Sequence, residues 1–469
     1  MSNVIESKAV QKLVLFCAAL AMLIDSLDCS IVTLALPPLA ADFGMDVGTV
    51  SWISMVYTLI IAGTILVFGK IAGSGHIKKV FLTGIVLFTA GSLFCALSTG
   101  FEILIIARII QGFGASMMVA CVPLICITYM PSAILGAALG LVNALGSLGV
   151  AVGPGIGGVL ISLLSWHWVF IINIPIGIIL ILLAAKCLPK DAAREKQPFD
   201  FVGSALIFLA MAFGVFCIER FPSIGISPLI IITFCIAAVA LVLFVLRQLK
   251  VSSPILNPRV FLSWQFTAVV LAYLLIQIVL VSCTYLLPFY LQVEMGYESF
   301  VSGFLLLIPA CLGAILSVPF GKLSDKHGRR KYAVAGGLAF TVMAFLLAAL
   351  LPEYGILPII LALVVNGFAF GLCGGPAASR IVDLVAKEDE VTGSNLMMLC
   401  IYLGGVLAMA VSASLFTALT SGIGNGAVSF LDLTPELFMT GFVGVMILMV
   451  VLSAGIALLS FVVKEKHHS

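Results

Sequence analysis

Polar residues divide this chain into long apolar runs of similar length. Cutting at charge clusters and Pro/Gly turns leaves runs near 12–36, 48–70, 79–98, 102–127, 134–161, 168–187, 200–219, 227–247, 265–290, 299–320, 331–350, 356–380, 391–418 and 436–463. Each is close to or above the roughly 20 residues that an α-helix needs to cross a bilayer. The pattern predicts an all-α polytopic membrane protein with fourteen transmembrane helices.

An even number of spans places both termini on one side, and basic loop residues tell which side. Lys70, Lys78, Lys79, Lys190, Arg194, Lys196, Lys322, Lys326, Arg329, Arg330 and Lys331 all fall at one face, and Arg220 alone falls at the other, beside Asp42, Asp46, Glu219, Glu294, Glu298 and Glu436. Both termini are therefore expected in the cytoplasm, in a multi-pass protein of the cell (cytoplasmic) membrane whose environment is the lipid bilayer.

Composition narrows the classes further. Of 469 residues, 62% are hydrophobic and 9% charged, with mean hydropathy +1.27, against about 25% charged residues in a soluble domain. A water-soluble globule is excluded. Twenty-three Lys and Arg against twenty-one Asp and Glu carry no nucleic-acid signature. The twelve cysteines lie singly in apolar runs, without a CxxC pair or a His at ligand spacing, and read as core residues rather than a disulfide or metal framework. The first run holds two Asp and is too long and polar for a cleaved signal. No loop is long enough for a catalytic domain, and neither Gly69-Lys70 nor Gly321-Lys322 sits in a phosphate-binding loop. An enzyme is not expected, nor is a cofactor.

A repeat is visible. Phe68-Gly69-Lys70-Ile71 recurs as Phe320-Gly321-Lys322-Leu323, and Lys79 is matched by Lys331. Two six-helix halves are implied, residues 1–187 and 264–469, with 188–263 as a linker carrying two additional spans.

Ionisable groups inside a span cost about 2.5–3.5 kcal/mol each on insertion scales and are functional candidates by default. Asp25 and Asp28 lie three residues apart, on one face of the first span, where a low dielectric favours proton exchange near neutral pH. They are candidates for proton coupling or for attracting a cation; the alternative is a structural acceptor. Arg108 in the fourth span requires a cavity or a carboxylate partner, and Asp28 or Asp25 is the intramembrane choice. Bracing of the helix through backbone carbonyls is the other reading. In the fifth span, Gly149, Gly153 and Gly157 recur every four residues with Pro154, Gly155 and Gly158, a ridge that lets another helix approach closely. Gly321, Asp325, Gly328, Arg329 and Arg330 are placed in a cytoplasmic loop, as a topology signal with a brace or as a gating latch. Trp166, His167, Trp168, Asn173 and Pro175 mark the start of the sixth span, the aromatics as interface anchors. Gln277, Asn366 and Tyr402 are isolated polar positions suited to substrate or to interhelical hydrogen bonds.

These residues together resemble the major facilitator superfamily and, within it, the fourteen-helix drug/proton antiporters. Leu27-Asp28-Cys29-Ser30 through Pro37 looks like that family's first-helix motif with its membrane acid, and Arg108 to Gly114 like its fourth-helix motif. Gly149 to Gly158 matches the fifth-helix antiporter motif; Trp166 to Gly177 and Tyr285 to Gln292 are also similar to the fourteen-helix branch. One departure stands out. The loop after the second helix has Gly73 where the family has Asp, His76 for its second Gly and Ile77 for its first basic residue, whereas Gly321 to Lys331 is intact. The resemblance implies two bundles around a cavity that rock to alternate access, with the extra hairpin outside the transport core. A proton entering at Asp28, shared with Asp25 and poised by Arg108, would drive export of a small molecule. Two carboxylates against one Arg leave at most one negative charge, which points to amphipathic neutral or monocationic drugs. Export of a specific metabolite, such as an amino acid, a sugar or an endogenous antibiotic, is the alternative cargo, and a non-transporting receptor on the same fold is a third reading. The protein is expected to act as a monomer.

Overall fold

The computed structural model describes residues 5, 7–131, 134–191, 200–251, 254–256, 258–350, 356–384, 390–429 and 432–463. Among these residues there are helices and turns and no strand. The first group comprises α1 (Lys8–Phe43), α2 (Val47–Ile71), α3 (Ile77–Ala96), α4 (Phe101–Tyr129), α5 (Leu135–Leu163) and α6 (Asn173–Cys187), the last preceded by the single turn Trp168–Ile171. A hairpin follows, α7 (Phe201–Ile224) and α8 (Pro228–Gln248). The second group is α9 (Trp264–Phe289), α10 (Ser299–His327), α11 (Arg329–Phe345), α12 (Ile356–Asp383), α13 (Glu390–Ser421) and α14 (Pro435–Val462).

Among the described residues thirteen helical stretches are long and apolar enough to cross a membrane; the longest, Val47–Ala96 at 50 residues, contains the break between α2 and α3. Gly75 makes that break, with φ +101°, a left-handed value that glycine adopts without a Cβ penalty. At the other end of the bundle, Gly44 (φ 63°) stops α1 and returns its N–H to Ala40 and Ala41. Asp46 then starts α2 by accepting from the Thr49 N–H at 2.9 Å. These two turns name the ends of the bundle, the Gly44 end and the Gly75 end.

Within the first group α1 packs on α5 and α4, and α3 and α2 pack on α4; within the second, α12 packs on α10 and α11, and α9 on α13 and α14. Between the groups the principal contacts are α5 with α10 and α2 with α13. With the repeat pairing α2 with α10 and α5 with α13, these are one contact made twice, the mark of a pseudo-two-fold relation. Helix α7 packs against α2 and α13, while α8 turns Ile231, Ile232, Phe234, Val239 and Leu241 outward, as lipid-facing side chains do.

Several hydrogen bonds join the two groups at the Gly44 end. The Ser51 hydroxyl meets the Tyr285 hydroxyl, which also donates to the Val47 carbonyl at 3.3 Å. Gln292 Nε2 donates to the Leu34 carbonyl at 3.3 Å, and the Phe300 N–H donates to Ser162 Oγ at 3.0 Å.

Candidate functional site

Three helices converge on Asp28, which is fully buried in α1. Arg108 Nη1 of α4 donates to Oδ2 at 2.6 Å, Gln111 Nε2 one turn along donates to Oδ1 at 2.8 Å, and Asn173 Nδ2 at the start of α6 donates to Oδ1 at 2.6 Å. The arginine is fixed from further sides. Its Nε donates to the Ile53 carbonyl of α2 at 2.8 Å, its Nη1 also to Gln111 Oε1 at 2.7 Å, and its guanidinium carbon lies 4.0 Å from the Tyr57 ring centre. Gln111 extends the network to Ser92 Oγ of α3 at 2.9 Å. A buried ion pair is favoured when its remaining donors and lone pairs are matched; among the described residues the bonds to the pair all come from the first group, and Arg108 Nη2 is buried without a hydrogen-bond partner.

Asp25 faces the other way. Its Oδ1 accepts from the Tyr57 hydroxyl at 2.8 Å and its Oδ2 from the Tyr402 hydroxyl of α13 at 2.9 Å, at 2% exposure. This carboxylate joins the two groups in the middle of the bundle. Tyr57 serves both acids, its hydroxyl on Asp25 and its ring against the Arg108 that holds Asp28.

The small-residue ridge of α5 has two faces. A Cβ on Gly149 would lie 2.5 Å from the Leu23 carbonyl oxygen, one on Gly153 1.9 Å from Ser30 Oγ and one on Gly157 2.5 Å from Ile31 Cγ1, all on α1. The face bearing Pro154 and Gly158 meets α10 instead: a Cβ on Gly158 would lie 2.5 Å from the Ser299 carbonyl, and one on Gly303 would lie 2.1 Å from the Pro154 carbonyl. Helix α5 thus presents bare backbone to its own group and to the opposite one, meeting backbone at Gly149 and Gly158 and the Ser30 and Ile31 side chains at Gly153 and Gly157. Beside it, an apolar groove of about 380 Å³ runs between Val152, Ile156, Val159 and Leu160 of α5 and Phe304 and Leu307 of α10.

Several expectations need correction. The Gly321 segment is not a loop: α10 runs on to His327 and turns only at Gly328, whose φ is +97°, so Gly321 lies on a helix. Charged residues end an apolar run at the membrane surface, but backbone hydrogen bonding continues until a glycine stops it. The Asp325 side chain lies outside the described residues. Arg330 places its guanidinium 4.4 Å from the Phe461 ring centre of α14, and Arg329 opens α11. In the first half, Gly73 and His76 form the wide turn Ala72–His76 and Ile77 opens α3. The acid absent from position 73 is replaced at that turn by Asp191, from the start of the linker, which accepts from the Lys78 and Lys79 N–H groups at 2.8 and 3.0 Å. Trp166 is not an interface anchor; it is buried, donates to Asp42 Oδ2 at 2.6 Å and stacks on His167. Glu219, assigned to a surface, is buried at 3% exposure and accepts from Trp52 Nε1 at 2.8 Å.

Among the candidate polar residues, Tyr402 is brought to Asp25, whereas Gln277 and Asn366 are buried at 7% and 1% exposure with their side-chain carbonyl oxygens unbonded among the described residues. Gln277 packs its Cβ under Gly404 of α13. Sequence reasoning missed Tyr57 and the bond from Asn173 to Asp28. The position of Tyr57 in the second span gave no signal, and Asn173 was hidden by the aromatic residues beside it.

A sequence profile of the Major Facilitator Superfamily matches residues 18–409. Two relatives named "Putative multidrug resistance protein MdtD", from Salmonella paratyphi B and Salmonella heidelberg, are each 32% identical over 400 residues, covering 84% of this chain and 85% of theirs. Among crystal structures, a bacterial homolog to the human lysosomal transporter Spinster, inward-facing and unoccupied, superposes with TM-score 0.68 at 15% identity over 97% of this chain and 98% of that one. A D-xylose-proton symporter gives 0.62 at 13% identity over 93% and 96%. Their likeness shows the fold. The chain belongs to the Major Facilitator Superfamily and is a multi-pass membrane transporter rather than an enzyme.

Proposed function

We propose that this protein exports amphipathic neutral or monocationic drugs across the cytoplasmic membrane in exchange for protons, by alternating access of residues 1–187 and 264–469 about a central cavity. The chain crosses fourteen times, both termini are cytoplasmic and the Gly44 end faces outward. Residues 188–263 supply the linker and the extra hairpin. The cross-group hydrogen bonds that close the Gly44 end support an inward-facing arrangement.

One observation carries the reading: two carboxylates one turn apart, of which Asp28 is held within one group and Asp25 bridges to the other through Tyr402. A proton arriving at Asp28 removes the charge that holds Arg108. The guanidinium, still stacked on Tyr57, then has Asp25 as its remaining carboxylate, and its approach competes with the Tyr402 hydroxyl for Asp25. Loss of that cross-group bond frees the two groups to rock. A cationic substrate at Asp25 acts on the same bond, so proton and substrate reach one switch from two sides. This is coupling through differential contact in two states. The names of the MdtD relatives agree with a drug as cargo. Gln277 and Asn366, with their unbonded carbonyl oxygens, favour a second reading in which the cargo is a specific metabolite with hydrogen-bond donors.

The test is pH-gradient-driven movement of a fluorescent lipophilic monocation in proteoliposomes, native chain against Asp28→Asn. Gradient-dependent transport that the substitution abolishes, with folding retained, is expected. A well-folded native protein that leaves the dye unmoved under a gradient refutes the drug reading for monocations and turns the search to metabolites.

A further inference from the structure

The α7–α8 hairpin is not a bystander, because its tip is fastened to both groups at the Gly44 end. To the first group it is held by side chains: Glu219 Oε2 accepts from Trp52 Nε1 of α2 at 2.8 Å, and Arg220, 3.2 Å from the same oxygen, donates onward to Thr49 Oγ1 at 3.3 Å. Phe216 packs its ring 6.1 Å from that of Trp52. To the second group it is held by backbone: the Gly424 and Gly426 N–H groups, between α13 and α14, donate to the Pro222 and Ser223 carbonyls at 2.8 and 3.0 Å. Gly424 and Gly426 are at φ +83° and +79°, values that glycine allows, and Gly225 approaches Gly424 without side chains between them.

Glu219 and Pro222 are three residues apart, so the two fastenings sit within one turn, about 5 Å, along α7. The Glu219 fastening lies against Gly48, where a Cβ would lie 2.8 Å from Glu219 Oε1, 3.0 Å from Asp46 Oδ1 and 3.6 Å from Thr417 Oγ1, so α2, α7 and α13 meet at a point. Rigid rods fastened so closely have no slack. If the groups part at this end, one fastening must open, and side-chain bonds centred on Glu219, which a rotamer change releases, open more readily than two backbone bonds with glycine packing.

We propose that the hairpin is a strap across the Gly44 seam and that Glu219 is its releasable anchor, a positioning residue that sets the balance between the closed and the open seam. The inference rests on the alternating-access reading above. It accounts for a carboxylate in an apolar helix, since a charged acceptor makes the stronger hydrogen bond.

The experiment is a spin–spin distance measurement in nanodiscs across a pH series, with labels on non-natural amino acids replacing Leu97 and Glu436, exposed at the Gly44 end on different groups. The expected native result is a short and a long distance whose ratio varies with pH. Trp52→Phe, which removes only the indole donor and keeps a ring beside Phe216, and Glu219→Leu are expected to raise the long-to-short ratio about tenfold or more, the factor for losing one hydrogen bond to a charged group. Glu219→Gln keeps an acceptor and is expected to shift it less. A native protein that changes distance and transports in vesicles, with an unchanged ratio in folded Trp52→Phe and Glu219→Leu, overturns the strap alone. One fixed distance in the native protein and every variant overturns both the strap and alternating access.

Discussion

Gly149→Ala tests whether the contact of α5 with α1 governs the site. The added Cβ would lie 2.5 Å from the Leu23 carbonyl oxygen and 3.0 Å from the Leu27 nitrogen, both backbone atoms of α1, where ordinary contact begins at 3.4 Å. The shortfall against Leu23 is 3.4 − 2.5 = 0.9 Å. Neither atom can rotate away, so the helices must separate or tilt, and overpacking of this kind costs about 1–3 kcal/mol. The strained segment brackets Asp25 and ends one residue before Asp28, so the displacement falls on both acids, whose bonds to Tyr57, Tyr402 and Arg108 tolerate little change in length. A lowered thermal midpoint in detergent and a loss of gradient-driven transport larger than the loss of folded protein are expected. Gly140→Ala on the same helix is the control, because nothing lies within 4 Å of its added Cβ. If Gly149→Ala matches Gly140→Ala in both measurements, the close approach of α5 to α1 is not what positions the carboxylates.

Tyr402→Phe removes the cross-group donor to Asp25 while keeping its ring; gradient-driven transport should fall about tenfold, with substrate-free proton uptake on acidification retained. Asn173→Ala withdraws one donor from Asp28 and leaves Arg108 in place, at a cost of about 1–3 kcal/mol that a reduced thermal midpoint would report. Asp200, at the start of α7, is buried, which raises its carboxyl, but bonds from the Gly203 N–H, Arg247 and Gln248 outweigh this and hold it below the ordinary carboxylate value. Its stabilising contribution is therefore complete above the unfolded value of about 3.9 and is lost as pH falls through the lower folded one. Hydrogen exchange in α7 and α8 should accelerate at that acid edge in the native chain, and Asp200→Asn should remove the acid-dependent part.

Much of this arrangement was legible in the residues. Apolar length located the helices, and the cost of a buried charge tied Arg108 to an acid of the first span before any geometry was known. What remained hidden is what hydropathy cannot resolve. In a helix apolar on every side, periodicity does not tell which face meets a neighbour, so Tyr57 had nothing to mark it as the residue between Asp25 and Arg108. Asn173 follows two tryptophans and reads as membrane surface, yet the single turn Trp168–Ile171 carries it inward onto Asp28. Glu219 follows an apolar run, as a surface residue would, and only the packing of α7 on α2 buries it. Choice between Asp25 and Asp28 as the partner of Arg108 was likewise a matter of helix rotation, and the structure gives Asp28.

The two bare faces of α5 bear on how such a protein moves at all. Interlocked side chains must leave their rotamer wells before one helix can slide past another, which makes a packed interface stick. Where Gly149 meets the Leu23 carbonyl and Gly158 meets the Ser299 carbonyl, two smooth backbones touch with few teeth between them. Such a surface works as a bearing: it transmits load across the seam while offering little friction along it. Bulk added there is felt as drag on the cycle as well as loss of fit, and turnover should be more sensitive to it than affinity.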